Sequence, residues 1–340
     1  MKRRISTIVA GLATLVALVA VPSAYAAYTT AKLEVVRTGT GVRVSASSGV
    51  NDDATARAQI FAPVGTSLTT NQAPGTALGA VEAQVSALAL GGALLPLLGQ
   101  VVVAAPGQVP AATQAQCTLG VTPIATWVLV LQAAGQTINL PAFLLPVAAN
   151  ESALGAAKIV VCLAPPGVPA DQGGAVFGAK FLSAAFTVNG VFGGAAAGVW
   201  LSIWTPWTGN APPLNAAGTV ASPAAVAAGT VTVAARRRGA GANVTGRVLQ
   251  GGQPRAGATV NVFAGPRANR LRRVGRVRTN ARGAYALRTR SGVFFRATAT
   301  APAGAAPAAC AGIASGIAPI PCVNPTTSGF TARSRAVRKR

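Results

Sequence analysis

The segment 126–145, TWVLVLQAAGQTINLPAFLL, decides the fold class. Its two apolar runs, at 126–131 and 137–145, are separated by a short polar stretch that contains Gly135. Apolar, β-branched and aromatic residues on both sides of a glycine-containing turn are typical of a β-hairpin. We therefore predict two antiparallel strands here and an all-β protein around them.

Further short strands are predicted on both sides of this hairpin. Apolar or alternating stretches occur at 57–62 (RAQIFA), 157–163 (AKIVVCL), 180–188 (KFLSAAFTV) and 199–205 (VWLSIWT). Many short strands with turn residues between them are typical of a sandwich or a barrel. For residues 27–208 we expect a β-sandwich domain.

The sequence of residues 85–105 is compatible with two structures. It is uncharged and apolar throughout (VSALALGGALLPLLGQVVVAA), as buried strands or an apolar helix would be. Gly91, Gly92 and Pro96 interrupt the run. These breaks favour buried strands with turns at the glycines over a membrane-spanning helix.

A second, smaller domain is predicted after residue 229. Residues 209–229 are rich in Pro, Ala and Gly and are interpreted as a linker. Six predicted strands then fill residues 230–302, with turns at 250–254 and 279–283.

This second domain has a spaced set of turn and core residues. The set is Val244-x-Gly246-x-Val248, then Gly252-x-Pro254-x-x-Gly257-Ala258-x-Val260, then Thr279-x-x-x-Gly283-x-Tyr285-x-Leu287. Over 236–302 it resembles the carboxypeptidase regulatory-like domain, a small prealbumin-like β-sandwich with an Ig-like fold. The resemblance implies a non-catalytic accessory or surface domain. A β-domain followed by this module is also similar to secreted proteins of actinobacteria.

Charge is distributed unevenly between the two parts of the chain. Residues 27–235 contain six basic and six acidic residues, whereas residues 236–340 contain 20 Lys and Arg and no Asp or Glu. An asymmetry of this size points to an anionic partner or surface. The alternative is that the charge only keeps the domain soluble.

Six arginines in the second domain are candidate binding residues. Alternation along 276–278 and 287–290 predicts that their arginines share one face, because successive strand residues point to opposite sides. Guanidinium groups bind phosphate and carboxylate in a bidentate manner, which predicts an anionic cell-wall polymer or polysaccharide as partner. The arginines could instead protect an edge strand from aggregation. The candidates are Arg273, Arg276, Arg278, Arg288, Arg290 and Arg296.

Residues 1–26 have the three parts of a secretory signal peptide. Lys2, Arg3 and Arg4 precede an apolar stretch, which ends before the small-x-small sequence Ala24-Tyr25-Ala26. We expect cleavage there rather than an uncleaved anchor helix, and no transmembrane span afterwards. The expected location is therefore secreted and extracellular, with possible attachment to the cell wall left open.

Four cysteines lie in the exported part, at positions 117, 162, 310 and 322. Four cysteines allow three pairings, and proximity in sequence favours Cys117–Cys162 and Cys310–Cys322. The second pair would make 303–340 a disulfide-closed loop followed by a basic tail. A metal site is the alternative, but there is no His and no C-x-x-C spacing.

The chain lacks the residues that most catalytic sites use. The absence of His removes the usual general base, the serine triad and His-ligated zinc. No phosphate-binding loop or dinucleotide-binding motif is found. We therefore expect no enzyme activity, cofactor, metal or small-molecule substrate. The two functional hypotheses are a secreted or cell-surface protein that adheres to anionic polymer, and a purely structural envelope or matrix component.

Overall fold

The structure is a computed structural model that describes residues 28–38, 40–133, 135–194, 198–250, 252–290, 292–302, 304–305, 314–315 and 318–340. The prediction of an all-β protein is confirmed, because strands dominate and these ranges contain one α-helix, α1 (Ala111–Thr118). The predicted signal peptide, 1–26, lies outside them. Within the same ranges no helix has the length and apolar character needed to span a membrane.

Fourteen strands form before residue 229. They are β1 (Lys32–Arg37), β2 (Gly41–Ser47), β3 (Thr55–Ala62), β4 (Thr66–Leu68), β5 (Ala77–Ala87), β6 (Ala93–Val103), β7 (Ala125–Ala133), β8 (Gln136–Pro146), β9 (Ala157–Cys162), β10 (Ala179–Asn189), β11 (Phe192–Gly194), β12 (Gly198–Thr208), β13 (Ala211–Leu214) and β14 (Val220–Val226). Short 3-10 helices lie between them at Leu88–Leu90, Ala149–Glu151, Ala170–Gln172, Val176–Gly178 and Ala216–Gly218.

The rest of the chain forms fourteen further strands among the described residues. They are β15 (Gly229–Val231), β16 (Ala234–Arg238), β17 (Gly241–Gln250), β18 (Gln253–Pro254), β19 (Thr259–Arg267), β20 (Arg270–Arg278), β21 (Ala284–Thr289), β22 (Phe294–Ala301), β23 (Gly304–Ala305), β24 (Ala314–Ser315), β25 (Ala318–Pro319), β26 (Thr326–Thr327), β27 (Phe330–Arg333) and β28 (Val337–Arg338).

Twelve strands of a 14-stranded sheet form a nearly closed, barrel-like arrangement, and β13 and β23 pair with β12 and β26 at its margin. Their order is β1-β2-β10-β5-β6-β7-β8-β9-β3-β12-β14-β26. Neighbours are antiparallel except for β14 and β26, which run parallel. At the seam, Leu33 of β1 donates its N–H to Ser222 Oγ of β14, 3.1 Å away, and Thr326 Oγ1 of β26 donates to Leu33 O.

The predicted β-sandwich over 27–208 is therefore corrected to this barrel-like sheet. The inward side chains of its strands meet in one continuous cluster, which includes Ile60, Val81, Leu97, Leu129 and Phe186. A sandwich and a barrel both place alternate apolar residues on an inner face. The two folds differ in which distant strands pair, and the alternation does not encode that choice.

Two predictions about local structure in this part are confirmed. The hairpin at 126–145 is β7 and β8, paired from Ala125–Leu144 to Ala133–Gln136. The stretch at 85–105 forms the end of β5, the 3-10 helix Leu88–Leu90 and β6, so strands are confirmed over a long apolar helix. Their predicted burial is wrong for one face of β6, where Leu94 and Leu98 are 56% and 63% exposed. Gly91 (φ 67°) and Gly92 (φ 83°) make the turn, in a conformation that disfavours residues with a side chain.

The segment 209–229, interpreted as a linker, contains β13 and β14. Strand β14 (VASPAAV) is almost entirely buried and pairs with β12 from Gly198–Val226 to Trp204–Val220. Its small residues suit a strand beside the tightly packed seam. The Ala, Gly, Ser and Pro composition that suggests a linker fits this position equally well.

The C-terminal unit consists of β15 to β22, β27 and β28, at residues 229–301 and 330–338, which form two sheets around one core. In the first, β15, β16, β18 and β21 pair with β17; the second has the order β20-β19-β22-β27, with β28 also paired to β22. Their facing residues share one buried cluster, including Val244, Val248, Val260, Val262 and Phe295.

Gly246 and Tyr285 of the quoted motif lie opposite each other on β17 and β21. The Tyr285 hydroxyl donates to Thr232 O at 2.6 Å. A Cβ on Gly246 would lie 2.0 Å from Thr232 O and 2.6 Å from that hydroxyl oxygen. The close approach of backbone and tyrosine thus explains the glycine at this position.

Over its described residues the chain crosses between the barrel-like sheet and the C-terminal unit three times. The first crossing leads from β14 to β15, the second from β22 to β23, and the third from β26 to β27. Strand β23 pairs with β26, which itself belongs to the barrel-like sheet. A short C-terminal segment thus contributes to both parts of the molecule.

The predicted Cys117–Cys162 disulfide is confirmed. It joins α1 to β9, with 5.8 Å between the two Cα atoms. Cys117 packs with Phe143, Leu145 and Val160 on the outer side of the barrel-like sheet. The predicted Cys310–Cys322 pair includes Cys310, which lies outside the described residues.

Candidate functional site

The candidate site is the solvent-facing side of the sheet β20-β19-β22-β27. Cross-strand pairing places Arg276 opposite Asn261, Asn261 opposite Thr298, and Thr298 opposite Arg333. Val277 is directed to the core cluster on the other side. Arg276 and Arg278 therefore lie on the solvent side of β20, and Val277 between them faces inward, as the alternation predicts.

A second row of the same sheet holds two more of the predicted arginines. Phe263 of β19 lies between Arg273 of β20 and Arg296 of β22. The Arg296 guanidinium carbon is 5.7 Å from the centre of the Phe263 ring, a distance suited to a cation–π contact. We call the set Arg273, Arg276, Arg278, Arg296 and Arg333 the basic face.

Arg296 illustrates how closely the positive charges are placed. Partial burial lowers its pKa, and the nearby charge of Arg333 lowers it further. The repulsion between Arg296 and Arg333 would be offset by an anion placed above the sheet. The guanidinium remains charged at neutral pH, because the ordinary pKa of arginine is far above it.

Arg333 is a member of the basic face that the sequence analysis missed. The sequence predicts a last strand near 330–337, but it does not indicate which strand this one pairs with. The pairing of Thr298 with Arg333 joins residues far apart in the chain, which periodicity does not reveal.

Two predicted arginines lie elsewhere, so the expected set does not form one face. Arg288 is on β21 of the other sheet, in a row with Asn243 and Arg236. Arg290 directly follows β21. Strands β20 and β21 are consecutive in sequence, yet they form the edges of different sheets. The turn at 279–283 therefore divides the arginines between two surfaces.

The basic face has no acidic neighbour in its own unit. Residues 236–340 contain no Asp or Glu. The ion pairs found in the described part of the chain are Lys32–Glu34, Arg43–Glu82 and Lys158–Glu151, all before residue 160. The guanidinium groups of the basic face are thus not neutralised by side-chain carboxylates of that unit.

No group of three or more His, Cys, Asp or Glu residues that could hold a metal ion occurs among the residues with described positions. Comparison with known proteins finds no family that matches this chain and no curated protein that matches it. The resemblance of 236–302 to the carboxypeptidase regulatory-like domain therefore stays a prediction.

Proposed function

We propose that this chain is a secreted or cell-surface, non-catalytic protein that adheres to anionic polymer through the basic face. The observation that supports this most directly is the placement of five arginines on one exposed side of a sheet, in a unit without carboxylate side chains. The polymer class is an anionic cell-wall polymer or polysaccharide.

The geometry suits a linear polymer with repeated charges. Arg276 and Arg278 are two residues apart on one strand, which places their Cα atoms about 7 Å from each other. Arg276 and Arg333 are three strands apart, or about 14 Å at the usual strand spacing. Each guanidinium can bind one carboxylate or phosphate group in a bidentate manner.

The proposal also includes the domain class of the C-terminal unit. We propose that it is a prealbumin-like, Ig-like β-sandwich of the carboxypeptidase regulatory-like kind. Its two sheets around one core, together with the close contact of Gly246 and Tyr285, support that class. In such domains no active site is expected, which agrees with a binding role.

The proposal can be tested with matched charge variants of the 27–340 chain. The probes are polygalacturonate, which is a linear polyuronate, and a glycerol-phosphate polymer. In the first variant Arg273, Arg276 and Arg278 are replaced by Gln. In the control Arg236, Arg238 and Arg288 are replaced by Gln, which removes the same charge from strands of the other sheet.

The basic-face variant is expected to lose about 100-fold in affinity at low salt, since three contacts on an exposed face contribute about 1 kcal/mol each. The control should lose much less. Affinity of the unchanged protein should fall steeply as salt rises. Equal losses in both variants would show that net charge, not this face, drives binding. If neither polymer binds at any salt concentration, the purely structural role is the remaining alternative.

A further inference from the structure

A cavity of about 290 Å³ lies inside the barrel-like sheet. Its walls come from strands on all sides, including Ile60 of β3, Val85 of β5, Leu131 of β7 and Phe186 of β10. It separates part of the main core cluster from a smaller aromatic group around Trp204. The space therefore lies largely within the core, and part of its boundary is open to solvent.

The lining is almost wholly apolar, and its two buried polar side chains, Lys180 and Thr55, already have hydrogen-bond partners. Lys180 lines the cavity and is 8% exposed. Its Nζ donates to Val50 O at 2.9 Å and also to Asp52 O. Thr55 Oγ1 accepts a hydrogen bond from the Tyr28 hydroxyl at 3.0 Å. The remaining polar residue, Asn139, is exposed. The one charged group of the lining, the Lys180 ammonium, is thus held by two backbone carbonyl groups, and the rest of the surface that a ligand meets is mainly apolar.

One side of the cavity is covered by the segment 163–178, which connects β9 to β10. Leu163, Pro166 and Ala175 of this segment line the cavity. Few backbone bonds hold it, among them Leu163 N–H to Ala56 O at 2.8 Å and Gly167 N–H to Asn210 O at 2.8 Å. The cover is thus a loop attached at a few points, not a strand of the sheet.

Apolar side chains are exposed where this cover meets the β5–β6 turn. Val176 of the cover is 38% exposed, and Leu88 and Leu90 of the turn are 37% and 52% exposed. The cover and the turn are in contact, since a Cβ on Gly178 would lie 3.3 Å from the Leu88 Cβ. An apolar molecule approaching the cavity at this point would meet an apolar surface.

We infer that the barrel-like sheet binds a small, uncharged, apolar molecule, such as a hydrocarbon chain of about ten carbon atoms. The volume is near the lower end of the roughly 300–1,000 Å³ range of ligand pockets. At about 30 Å³ for each water-sized group, it holds roughly ten such groups. Apolar cavities are poorly hydrated, so such a ligand gains contacts without displacing ordered water.

The test measures binding of 1-decanol to the 27–340 chain by calorimetry and by tryptophan fluorescence. Because Trp204 lines the cavity, ligand entry should change its emission. Decanoate has the same chain length with a carboxylate and should bind at least 10-fold more weakly, since burial of a carboxylate is costly and the Lys180 ammonium is already held by two backbone carbonyl groups. Dihexanoyl phosphatidylcholine below its micellar concentration tests a lipid chain as the source. Binding of the alcohol alone indicates a free apolar molecule, and binding of both indicates that lipid chains also enter.

Two variants fill the cavity from different sides. Ala83→Phe adds volume from β5, and Ala175→Phe adds it from the cover. Each is expected to weaken decanol binding at least 10-fold. Ala80→Phe is the matched control, because Ala80 is on the same strand as Ala83 but exposed. It should bind decanol like the unchanged protein.

Absence of decanol binding in the unchanged protein would overturn the inference. So would unchanged affinity in both filled variants, provided that their unfolding transitions are cooperative. Using two variants keeps the test decisive if one of them does not fold.

Discussion

Asp52 anchors the start of the barrel-like sheet through several hydrogen bonds. Its carboxylate accepts from Thr29 N–H at 2.8 Å, from Thr30 Oγ1 at 2.6 Å and from Gly49 N–H at 2.7 Å. Burial alone would raise the pKa of this carboxyl group, but the donors outweigh burial and the pKa lies below its usual value. The ionised form is therefore the one that stabilises the fold.

Asp52→Asn is expected to lower the free energy of unfolding at pH 7 by about 2 kcal/mol, since a buried acceptor of several donors is lost. Because the folded-state pKa is lowered, the stabilisation is complete above the unfolded-state pKa of about 4 and is lost as pH falls through the folded-state pKa. Denaturant unfolding between pH 7 and pH 2 should show this acid-dependent loss in the unchanged protein and less of it in the variant.

Asp53→Asn is the control, with the same charge change one residue further along the chain. Burial raises the pKa of Asp53, so its ionised form is disfavoured in the fold. This control should be neutral or slightly more stable at pH 7. A loss as large as that of Asp52→Asn would contradict the role given to Asp52.

Single residues were predictable where local alternation decides their side of a strand. Arg276 and Arg278 face solvent on either side of Val277, as the sequence indicates. Arg288 follows the same rule within its strand, but it belongs to another sheet. The rule fixes the side of a strand on which a residue lies, and it carries no information about which sheet receives the strand.

Helix α1 depends on a covalent attachment to the sheet. It has eight residues, and its N-cap position, Pro110, makes no side-chain cap. Isolated helices of this length are marginal in water, so tertiary contacts must hold it. The contacts are those of Cys117 with Phe143, Leu145 and Val160, next to the disulfide with Cys162.

Replacing Cys117 and Cys162 together by Ala is expected to lower the free energy of unfolding by about 4 kcal/mol, the chain-entropy value for a separation of 45 residues. Chemical denaturation followed by tryptophan fluorescence measures this change. Gln116→Ala alters an exposed residue of the same helix and should have little effect. Stability equal to that of the unchanged protein would show that the disulfide does not limit unfolding.

Elements with a strong apolar pattern were predictable, and weakly patterned ones were not. The hairpin β7–β8 has continuous apolar runs around a glycine turn, so its position was predicted closely. The sequence of α1, AATQAQCT, has no apolar stripe, and β14 has the composition of a linker. Both are held by contacts with distant strands, which a local pattern does not contain.

The whole molecule depends on a short segment near the C-terminus. Asn324 Nδ2 donates to Thr29 O and Ala31 O, each at 3.0 Å, and Thr326 Oγ1 donates to Leu33 O. These bonds join residues almost 300 positions apart in the chain. They close the seam beside β1, so residues of the C-terminal segment stabilise the first strands.

The double substitution Asn324→Ala and Thr326→Val is expected to destabilise the barrel-like sheet by roughly 3 kcal/mol, at about 1 kcal/mol for each of three hydrogen bonds. All four tryptophans precede residue 208, so their fluorescence reports on this sheet alone. Thr327→Val changes the neighbouring residue and should leave the unfolding midpoint nearly unchanged. An unchanged midpoint in the double variant would contradict a stabilising role of the segment.

For the molecule as a whole, the sequence indicated two β units but not how the chain joins them. The closure of the sheet requires Leu33 to meet Ser222 and Thr326, residues that no periodicity relates. The placement of the basic face likewise requires Thr298 to meet Arg333. Composition and alternation predicted which residues form strands, whereas long-range pairing decided the architecture and the site.

The three crossings between the two parts have a mechanical consequence. A polymer pulling on the C-terminal unit would load three chain segments in parallel, at β14–β15, β22–β23 and β26–β27. Tension on one of them is shared with the others, and three attachment points resist swivelling that a single tether would permit. A load on the C-terminal unit would thus reach the larger sheet through several chain segments at once and not through a single hinge.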